Sequence, residues 1–228
     1  MGGTDDAYTD PDWATIQNQY KWYTDYYLDQ MASAEKEEGK RLLDVFDIHY
    51  YAQDCKTNEA KIQAARSLYD PDYQENSWLQ PQYKEFFPFL TRLQSSIDTY
   101  YPGTKLSLSE YSLIDFENEK TTGKSVVAAL TQAETHGAFA DQGVYLANYW
   151  GTLSDAPYVA SAFNLYTNYD GNGAAFGDTL VKSTSEDLSK AAVFASIDGE
   201  DTSTVKTVLS NKSMTETQKN NDYFGRWF

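Results

Sequence analysis

The sequence predicts an α/β fold, in which strands alternate with helices along most of the chain. Three segments have the composition and alternation of strands, and a helical pattern follows each of them. These strand segments are residues 42–51, 105–111 and 143–150. The first is mostly apolar on both faces, which is typical of a parallel sheet covered on both sides.

The pattern changes after residue 173, where strand segments follow one another without helices between them. They are residues 176–182 and 190–197, with a weaker third at 204–210. We therefore expect two domains, at residues 1–173 and 174–212, the second with antiparallel strands. Residues 213–228 are polar with an aromatic end and predict a poorly ordered tail.

Apolar positions at helical spacing predict helices over residues 20–34, 82–101, 125–139 and 157–169. Gly39 is expected to be the C-cap that follows the first helix, and Pro88 to start or kink the second. Residues 1–15 predict a loop. Residues 52–81 form a polar stretch too long for an ordinary connection, and its aromatic residues favour a functional loop.

The spacing of the three strands, roughly 40 to 60 residues, fits strand–helix units of a (β/α)8 TIM barrel with insertions in its loops. Three units are too few to close such a barrel, which needs eight. The sequence therefore predicts a partial barrel. Its two open sheet edges would favour self-association, as a dimer or an aggregate.

The composition argues against several function classes. The 34 acidic residues against 18 basic ones give a formal net charge of −16, which opposes binding to nucleic acid and to anionic membranes. No apolar run is long enough to span a membrane, and the N-terminus lacks the regions of a signal peptide. One cysteine, Cys55, excludes an internal disulfide. The 19 Tyr and 5 Trp suit a neutral ligand such as a sugar, whose CH-rich faces stack on flat rings.

Chemically capable side chains gather at the predicted C-terminal ends of the three strands, where barrel enzymes place their active residues. These are His49 and Tyr51, Glu110 and Tyr111, and Tyr149 and Trp150. By strict alternation Glu110 shares a face with Leu106 and Leu108, where a carboxylate is costly unless it is paired or used. A carboxylate, an imidazole, a phenol and an indole suit glycoside hydrolysis, in which the carboxylate attacks the anomeric carbon.

Each of these residues also has a purely structural interpretation. Glu110 can be a strand-end residue that reaches water, His49 a core histidine with satisfied hydrogen bonds, and Trp150 a core side chain. Their coincidence at successive strand ends favours a functional site.

Five longer motifs carry a family resemblance. They are YYLDQM at 26–31, RLLDVFDIHYY at 41–51, YYPGTKLSLSEY at 100–111, YWG at 149–151 and NYDGNGAAFGD at 168–178. In sequence and order they resemble glycoside hydrolase family 44, over roughly residues 20–212. Members of that family are endoglucanases and xyloglucanases built from a (β/α)8 barrel and a β-sandwich domain.

The resemblance implies retaining hydrolysis of β-1,4-glucan chains such as xyloglucan, with Glu110 as the nucleophile at the end of the seventh barrel strand. His49 and Tyr51 would line the cleavage subsite at the end of the sixth strand, and Trp150 would be the sugar platform at the end of the eighth. The other expected substrate-binding residues are Tyr69 and Trp78, in a loop that walls the cleft, and Tyr111.

The same resemblance makes the chain the last three strand–helix units of the barrel, followed by part of an antiparallel β-sandwich that starts near residue 174. The parent enzyme would be secreted. The family's general acid/base is a Glu in an Asn-Glu-Pro motif at the end of the fourth strand, and this motif does not occur here. Asn58-Glu59 and Asn118-Glu119 lie in predicted loops instead. We therefore expect a fragment that lacks the acid/base half.

Two other interpretations stay open: a non-catalytic fragment that binds glucan, and a fragment without present function. No cofactor is expected. Residues 170–173, Asp-Gly-Asn-Gly, resemble part of a calcium loop but lack the later bidentate acid, so a helix-ending turn is favoured. His136 has no Cys or His partner at ligand spacing. Cys55 has no neighbouring base to activate it and is assigned no role.

Overall fold

The computed structural model of the chain describes residues 11–52, 55–76, 79, 83–114 and 122–215. Its helices are α1 (Pro11–Ile16), α2 (Tyr23–Glu38), α3 (Asn58–Gln63), α4 (Phe89–Tyr100), α5 (Val126–Asp141) and α6 (Pro157–Thr167). Its strands are β1 (Val45–Tyr51), β2 (Lys105–Ser112), β3 (Val144–Tyr149), β4 (Thr179–Val181), β5 (Ala191–Asp198) and β6 (Asp201–Asn211). Two short 3₁₀ helices span Ala64–Leu68 and Lys84–Phe86.

The first sheet has the order β1-β2-β3, and both of its pairings are parallel. Its apolar side packs against the helices: β1 contributes Phe46, Ile48 and Tyr50 to a core that also holds side chains of α2, α4 and α5. The intervening β1 residues Asp47 and His49 are exposed. The expectation that this strand is covered on both faces is therefore wrong for the described chain, since helices cover one face only.

The pairing of β1 with β2 contains a β-bulge that changes which way the end of β2 faces. Asp47 pairs with Ser107, but His49 pairs with Glu110, so β2 uses one more residue than β1 over this stretch. Strict alternation had placed Glu110 with Leu106 and Leu108. The bulge instead moves Glu110 to the exposed, polar face.

The second sheet has the order β4-β5-β6 and is antiparallel, as predicted. Its β6 strand, expected to be the weakest, is the longest of the three at 11 residues. A tight turn joins it to β5: Asp198 pairs with Asp201, and Gly199 between them has φ of 56°, a conformation that favours glycine.

The second sheet docks on helix α5 through the ring of Phe194 in β5. A Cβ atom added to Gly137 of α5 would lie 2.1 Å from Cδ2 of that ring, so the close approach depends on glycine. The ring of Tyr69 stands edge-on to the same phenylalanine, with ring centroids 6.1 Å apart. Helix α5 is thus shared by the two sheets.

A buried ion pair lies at the same junction. Nζ of Lys212, just after β6, donates to Oε1 of Glu134 in α5 at 2.9 Å, and both side chains are fully buried. The hydroxyl of Tyr69 donates to the same oxygen at 2.7 Å. Burial raises the pKa of Glu134 and lowers that of Lys212, and their mutual contact opposes both shifts.

Several local predictions can be compared with these elements. Gly39 follows α2 in the left-handed conformation, with φ of 67°, which confirms it as the C-cap. Pro88 stands at the N-cap of α4. The loops expected at residues 1–15 and 52–81 are wrong in part, because the structure has α1 in the first, and α3 with a 3₁₀ turn in the second. The expected tail lies almost wholly outside the described residues.

Of the helices described, none combines the length and the hydropathy that crossing a membrane requires.

Replacing Lys212 by Met should lower the free energy of unfolding by about 3–5 kcal/mol, because the carboxylate of Glu134 would stay buried without its cation. The double variant Lys212→Met/Glu134→Gln should recover most of this loss, since the new glutamine side chain is neutral and can still accept from Tyr69. Urea unfolding of the three proteins measures the effect. A single variant as stable as the parent would show that the pair is not a buried charge pair.

Candidate active site

Glu110 at the end of β2 is held by two side chains from the end of β1. The hydroxyl of Tyr51 donates to Oε2 of Glu110 at 2.9 Å, and Nδ1 of His49 lies 3.2 Å from the same oxygen. The Glu110 side chain is 30% exposed and that of His49 is 50% exposed. Both contacts use Oε2, and no described residue makes a hydrogen bond or an ion pair with Oε1.

A second carboxylate, Asp47, lies on the same face of the sheet and is linked to His49 through Ser109. Its Oδ1 accepts from the Ser107 hydroxyl and from the Ser109 backbone N–H, the latter at 2.9 Å. Its Oδ2 accepts from the Ser109 hydroxyl, and the Oγ of Ser109 lies 3.2 Å from Nε2 of His49. Burial alone would raise the pKa of Asp47, but these hydrogen bonds outweigh it and lower the pKa.

The hydroxyl of Tyr51 keeps its proton and donates it in the hydrogen bond to Glu110. Partial burial is the largest cause that raises its pKa, and the hydrogen bond to Glu110 and the negative charge there add to it. Tyr51 therefore stays protonated at neutral pH and keeps donating to Glu110.

Trp150 directly follows β3 at the same end of the sheet. Its backbone N–H donates to the carbonyl of Tyr111 at 2.9 Å, so its backbone lies next to the chain segment that carries Glu110. The Trp150 residue is 48% exposed, so its side chain is accessible to solvent. The predicted platform residue is thus an accessible flat ring beside the carboxylate-bearing strand.

Two predicted substrate-binding residues lie elsewhere. Tyr111 is 1% exposed, and the bulge turns its side chain into the core, so the expectation that this side chain contacts a substrate is wrong. Tyr69 bonds to the buried Glu134 and packs on Phe194, on the helix side of the sheet, so it does not wall the Glu110 face. Trp78 lies outside the described residues.

Tyr111 belongs instead to a buried polar group behind the sheet. The side-chain amide of Gln132 donates to the Tyr111 hydroxyl at 2.7 Å and lies 2.7 Å from Nε2 of His136. The ring of His136 packs edge-on against Phe163 of α6, with centroids 4.4 Å apart. Burial lowers the pKa of His136 to about 4, so this ring is neutral at pH 7. His136 is therefore a core histidine.

Sequence reasoning missed three contributors to the site: Asp47, Ser107 and Ser109. A signal for them was present. Asp47, His49 and Tyr51 are spaced by two residues on β1, which places them on one strand face, and the two serines alternate in the same way on β2. Polar alternation on an otherwise apolar strand indicates a functional face rather than a covered one.

Among the described residues, the carboxylates of the site suit an attacking group better than a general acid. A general acid needs a carboxyl whose pKa is raised, so that it is protonated near neutral pH. Asp47, the other carboxylate bonded into this cluster among the described residues, has the opposite shift. Glu110, with Oε2 held and no described hydrogen bond or ion pair on Oε1, has the geometry of an attacking carboxylate.

No metal site is evident in the described ranges, where no group of three or more His, Cys, Asp and Glu side chains is arranged to hold an ion. At residues 170–173, Oδ1 of Asp170 accepts from the backbone N–H groups of Asn172 and Ala174. These hydrogen bonds lower the pKa of Asp170. The loop is a turn that satisfies its own carboxylate after helix α6.

Comparison with known proteins gives consistent matches. The model of glycoside hydrolase family 44 matches residues 3–54. Endoglucanase A of Paenibacillus lautus is 41% identical over 217 residues, which cover 89% of this chain and 30% of that protein.

Solved structures match over nearly the whole chain. A family 44 endoglucanase from Clostridium thermocellum has a TM-score of 0.81 at 43% identity, covering 90% of this chain and 42% of that one. A family 44 xyloglucanase from Paenibacillus polymyxa, solved with xyloglucan, has a TM-score of 0.79 at 39% identity, with coverage of 90% and 42%. This chain therefore spans less than half the length of each of these relatives.

Sequence and fold thus assign the chain to the glycoside hydrolases. Within that class it belongs to family 44, as its motifs predicted.

His136 should make the fold less stable in acid. Its pKa is about 4 in the folded state against 6.5 for an ordinary histidine, so the unfolded chain binds the proton more readily. The stabilisation is complete above pH 6.5 and is lost as the pH falls toward 4, by about 3 kcal/mol. Urea unfolding at pH 7 and pH 4 should show this extra loss in the parent but not in His136→Gln, and equal losses in both proteins would contradict it.

Proposed function

We propose that this chain supplies the nucleophile side of the active site of a retaining β-1,4-glucan hydrolase. The observation that carries the proposal is the position of Glu110, whose Oε2 is held by Tyr51 and lies 3.2 Å from Nδ1 of His49. Membership of family 44 supports the reaction class, because the relatives that match along this chain are endoglucanases and xyloglucanases.

In the proposed reaction Oε1 of Glu110 attacks the anomeric carbon while the glycosidic oxygen leaves and takes up a proton. The product is a glycosyl ester of Glu110, which water then hydrolyses with net retention of configuration. Donors on Oε2 stabilise the carboxylate each time it separates from the sugar carbon. The exposed indole of Trp150 provides a flat apolar face on which a sugar ring can stack.

The reaction also needs a second carboxyl, about 5 Å from the first in retaining enzymes, that acts first as acid and then as base. The low pKa of Asp47 makes it unsuited to this role. We infer that the acid/base comes from further barrel strands that join this sheet. The three parallel strands would then be the last units of a (β/α)8 barrel, and the antiparallel sheet would be part of a β-sandwich.

The open edges of the parallel sheet support this inference. No described residue pairs with the outer edge of β1 or of β3. Such edges associate with further strands, whether those of the remaining barrel or those of a second copy of this chain. Because polymeric glucans do not cross membranes, the proposed enzyme acts outside the cell.

The substrate class is proposed as xyloglucan or unsubstituted β-1,4-glucan. One relative is described as a xyloglucanase and was solved with xyloglucan, and others are described as endoglucanases. The acidic chain, with a net charge of −16, suits a neutral polysaccharide and opposes a polyanionic one.

Replacing Glu110 by Ala should abolish hydrolysis. The assay uses a chimera in which this chain replaces the matching segment of the Paenibacillus polymyxa xyloglucanase, so that a complete barrel is present. Turnover on xyloglucan should fall by about 10³-fold or more, because no covalent intermediate can form. Added azide should restore bond cleavage in Glu110→Ala and give a glycosyl azide of inverted configuration.

The matched control is Glu59→Ala, which removes an exposed carboxylate on α3 and should leave turnover unchanged. Unchanged turnover in Glu110→Ala, or loss without azide rescue, would overturn the assignment of Glu110 as nucleophile.

A second candidate function is glucan binding without hydrolysis, which the exposed Trp150 favours. Affinity electrophoresis of the isolated chain in gels with xyloglucan should then show retardation, with no reducing ends released. Trp150→Ala should weaken retardation by about three- to tenfold, the value of one stacked ring. Tyr145→Ala removes another exposed ring, near the start of β3, and serves as the control. Equal migration with and without polysaccharide would rule out this function.

A further inference from the structure

We propose that Asp47 and Ser109 are positioning residues: they fix a proton on Nε2 of His49 and thereby set how Nδ1 of the same ring meets Glu110. The role of Glu110 as nucleophile is the proposed function above, on which the catalytic meaning of this assignment rests. The proton positions themselves follow from hydrogen-bond contacts within β1 and β2, independently of any substrate.

The chain of contacts starts at Asp47, which only accepts. Its two oxygens receive the Ser107 hydroxyl, the Ser109 backbone N–H and the Ser109 hydroxyl. These donors hold the pKa of Asp47 low, so the side chain is a carboxylate at neutral pH and has no proton to give. Asp47 is therefore the acceptor in each of these hydrogen bonds.

Because Ser109 donates to Asp47, its hydroxyl oxygen acts as the acceptor toward His49. A serine hydroxyl has one proton, and that proton is used on Oδ2 of Asp47. The Oγ atom therefore presents a lone pair to Nε2 of His49, 3.2 Å away. The contact is a hydrogen bond only if Nε2 carries the proton and donates it.

The remaining nitrogen then faces the nucleophile. Nδ1 of His49 lies 3.2 Å from Oε2 of Glu110, which also accepts from Tyr51. Nε2, whose proton Ser109 accepts, and Nδ1, which faces Glu110, belong to one ring, so the Ser109 contact also fixes the position of Nδ1 beside Oε2.

This arrangement has a consequence for the proposed chemistry. The Tyr51 hydroxyl donates to Oε2 and the fixed His49 ring lies against the same oxygen, which leaves Oε1 to form the bond. Asp47 and Ser109 touch no reacting atom in this scheme. Their effect on Glu110 passes through the His49 ring.

Nitrogen NMR of the isolated chain tests the assignment. The sequence has only two histidines, so ¹⁵N-histidine labelling gives four ring nitrogens, and the buried His136 is an internal reference. At pH 7 the shift of His49 Nε2 should be that of a protonated nitrogen. In Asp47→Asn the new amide should donate to Ser109, whose hydroxyl then turns toward His49. Nε2 should therefore lose its proton, and its shift should move to the unprotonated range.

Two further variants separate this effect from general disruption. Ser107→Ala removes another hydrogen bond to Asp47 without touching the Ser109–His49 contact, and it should leave the His49 shifts as in the parent. Ser109→Ala keeps the Asp47 carboxylate and should also remove the fixed proton from Nε2, so the test stands even if Asp47→Asn does not fold. An unprotonated Nε2 in the parent, or unchanged His49 shifts in Ser109→Ala, would overturn the proposal. Turnover of Glu110→Ala decides the nucleophile separately, because no substrate enters the NMR measurement.

Discussion

The β-bulge between β1 and β2 is the constraint on which the site depends. A bulge leaves backbone groups without their ladder partners, and here the backbone N–H of Ser109 donates to the side chain of Asp47 instead. The extra residue turns Glu110 from the apolar face to the polar one, opposite His49. Without it Glu110 would stand beside Leu106 and Leu108 in the core, where an unpaired carboxylate costs several kcal/mol. One carboxylate, Asp47, therefore both satisfies the bulge and orients the histidine.

On the helix side of the sheet, contacts with α5 hold the strand that carries Glu110 in place. Tyr111 follows Glu110 directly and is anchored by Gln132 and packed edge-on against Phe139, both on helix α5. The opposite side of the same helix receives Phe194 of the second sheet and the buried cation of Lys212. The second sheet thus packs on the same helix that anchors the strand carrying Glu110, and Tyr69 joins this junction from outside the helix.

Sequence reasoning identified the strands and the side chains at their ends, because these depend on local composition and period. It could not identify the bulge, because an alternation of two residues within one strand does not show where pairing with a neighbouring strand inserts an extra residue. The same limit explains Tyr111, which was assigned to the wrong face. Helix α3 was missed because it is short and polar, although the Thr57 cap is a signal for its start. Strand β6 was expected to be weak because most of its residues are polar.

The hydrogen bonds around Glu110 indicate how the chemistry is divided along the chain. Tyr51 and His49, which contact Glu110, come from β1, and Glu110 itself comes from β2, so contacts within the described sheet already orient the proposed nucleophile. The acid/base role has the opposite requirement, a carboxyl in an environment that raises its pKa, and Asp47 shows that this polar face lowers the pKa instead. A carboxyl with a raised pKa therefore needs a different environment from this face. In the proposed barrel, strands on the other side of the opening would provide that environment, so the described three-strand sheet would hold the proposed nucleophile without its acid.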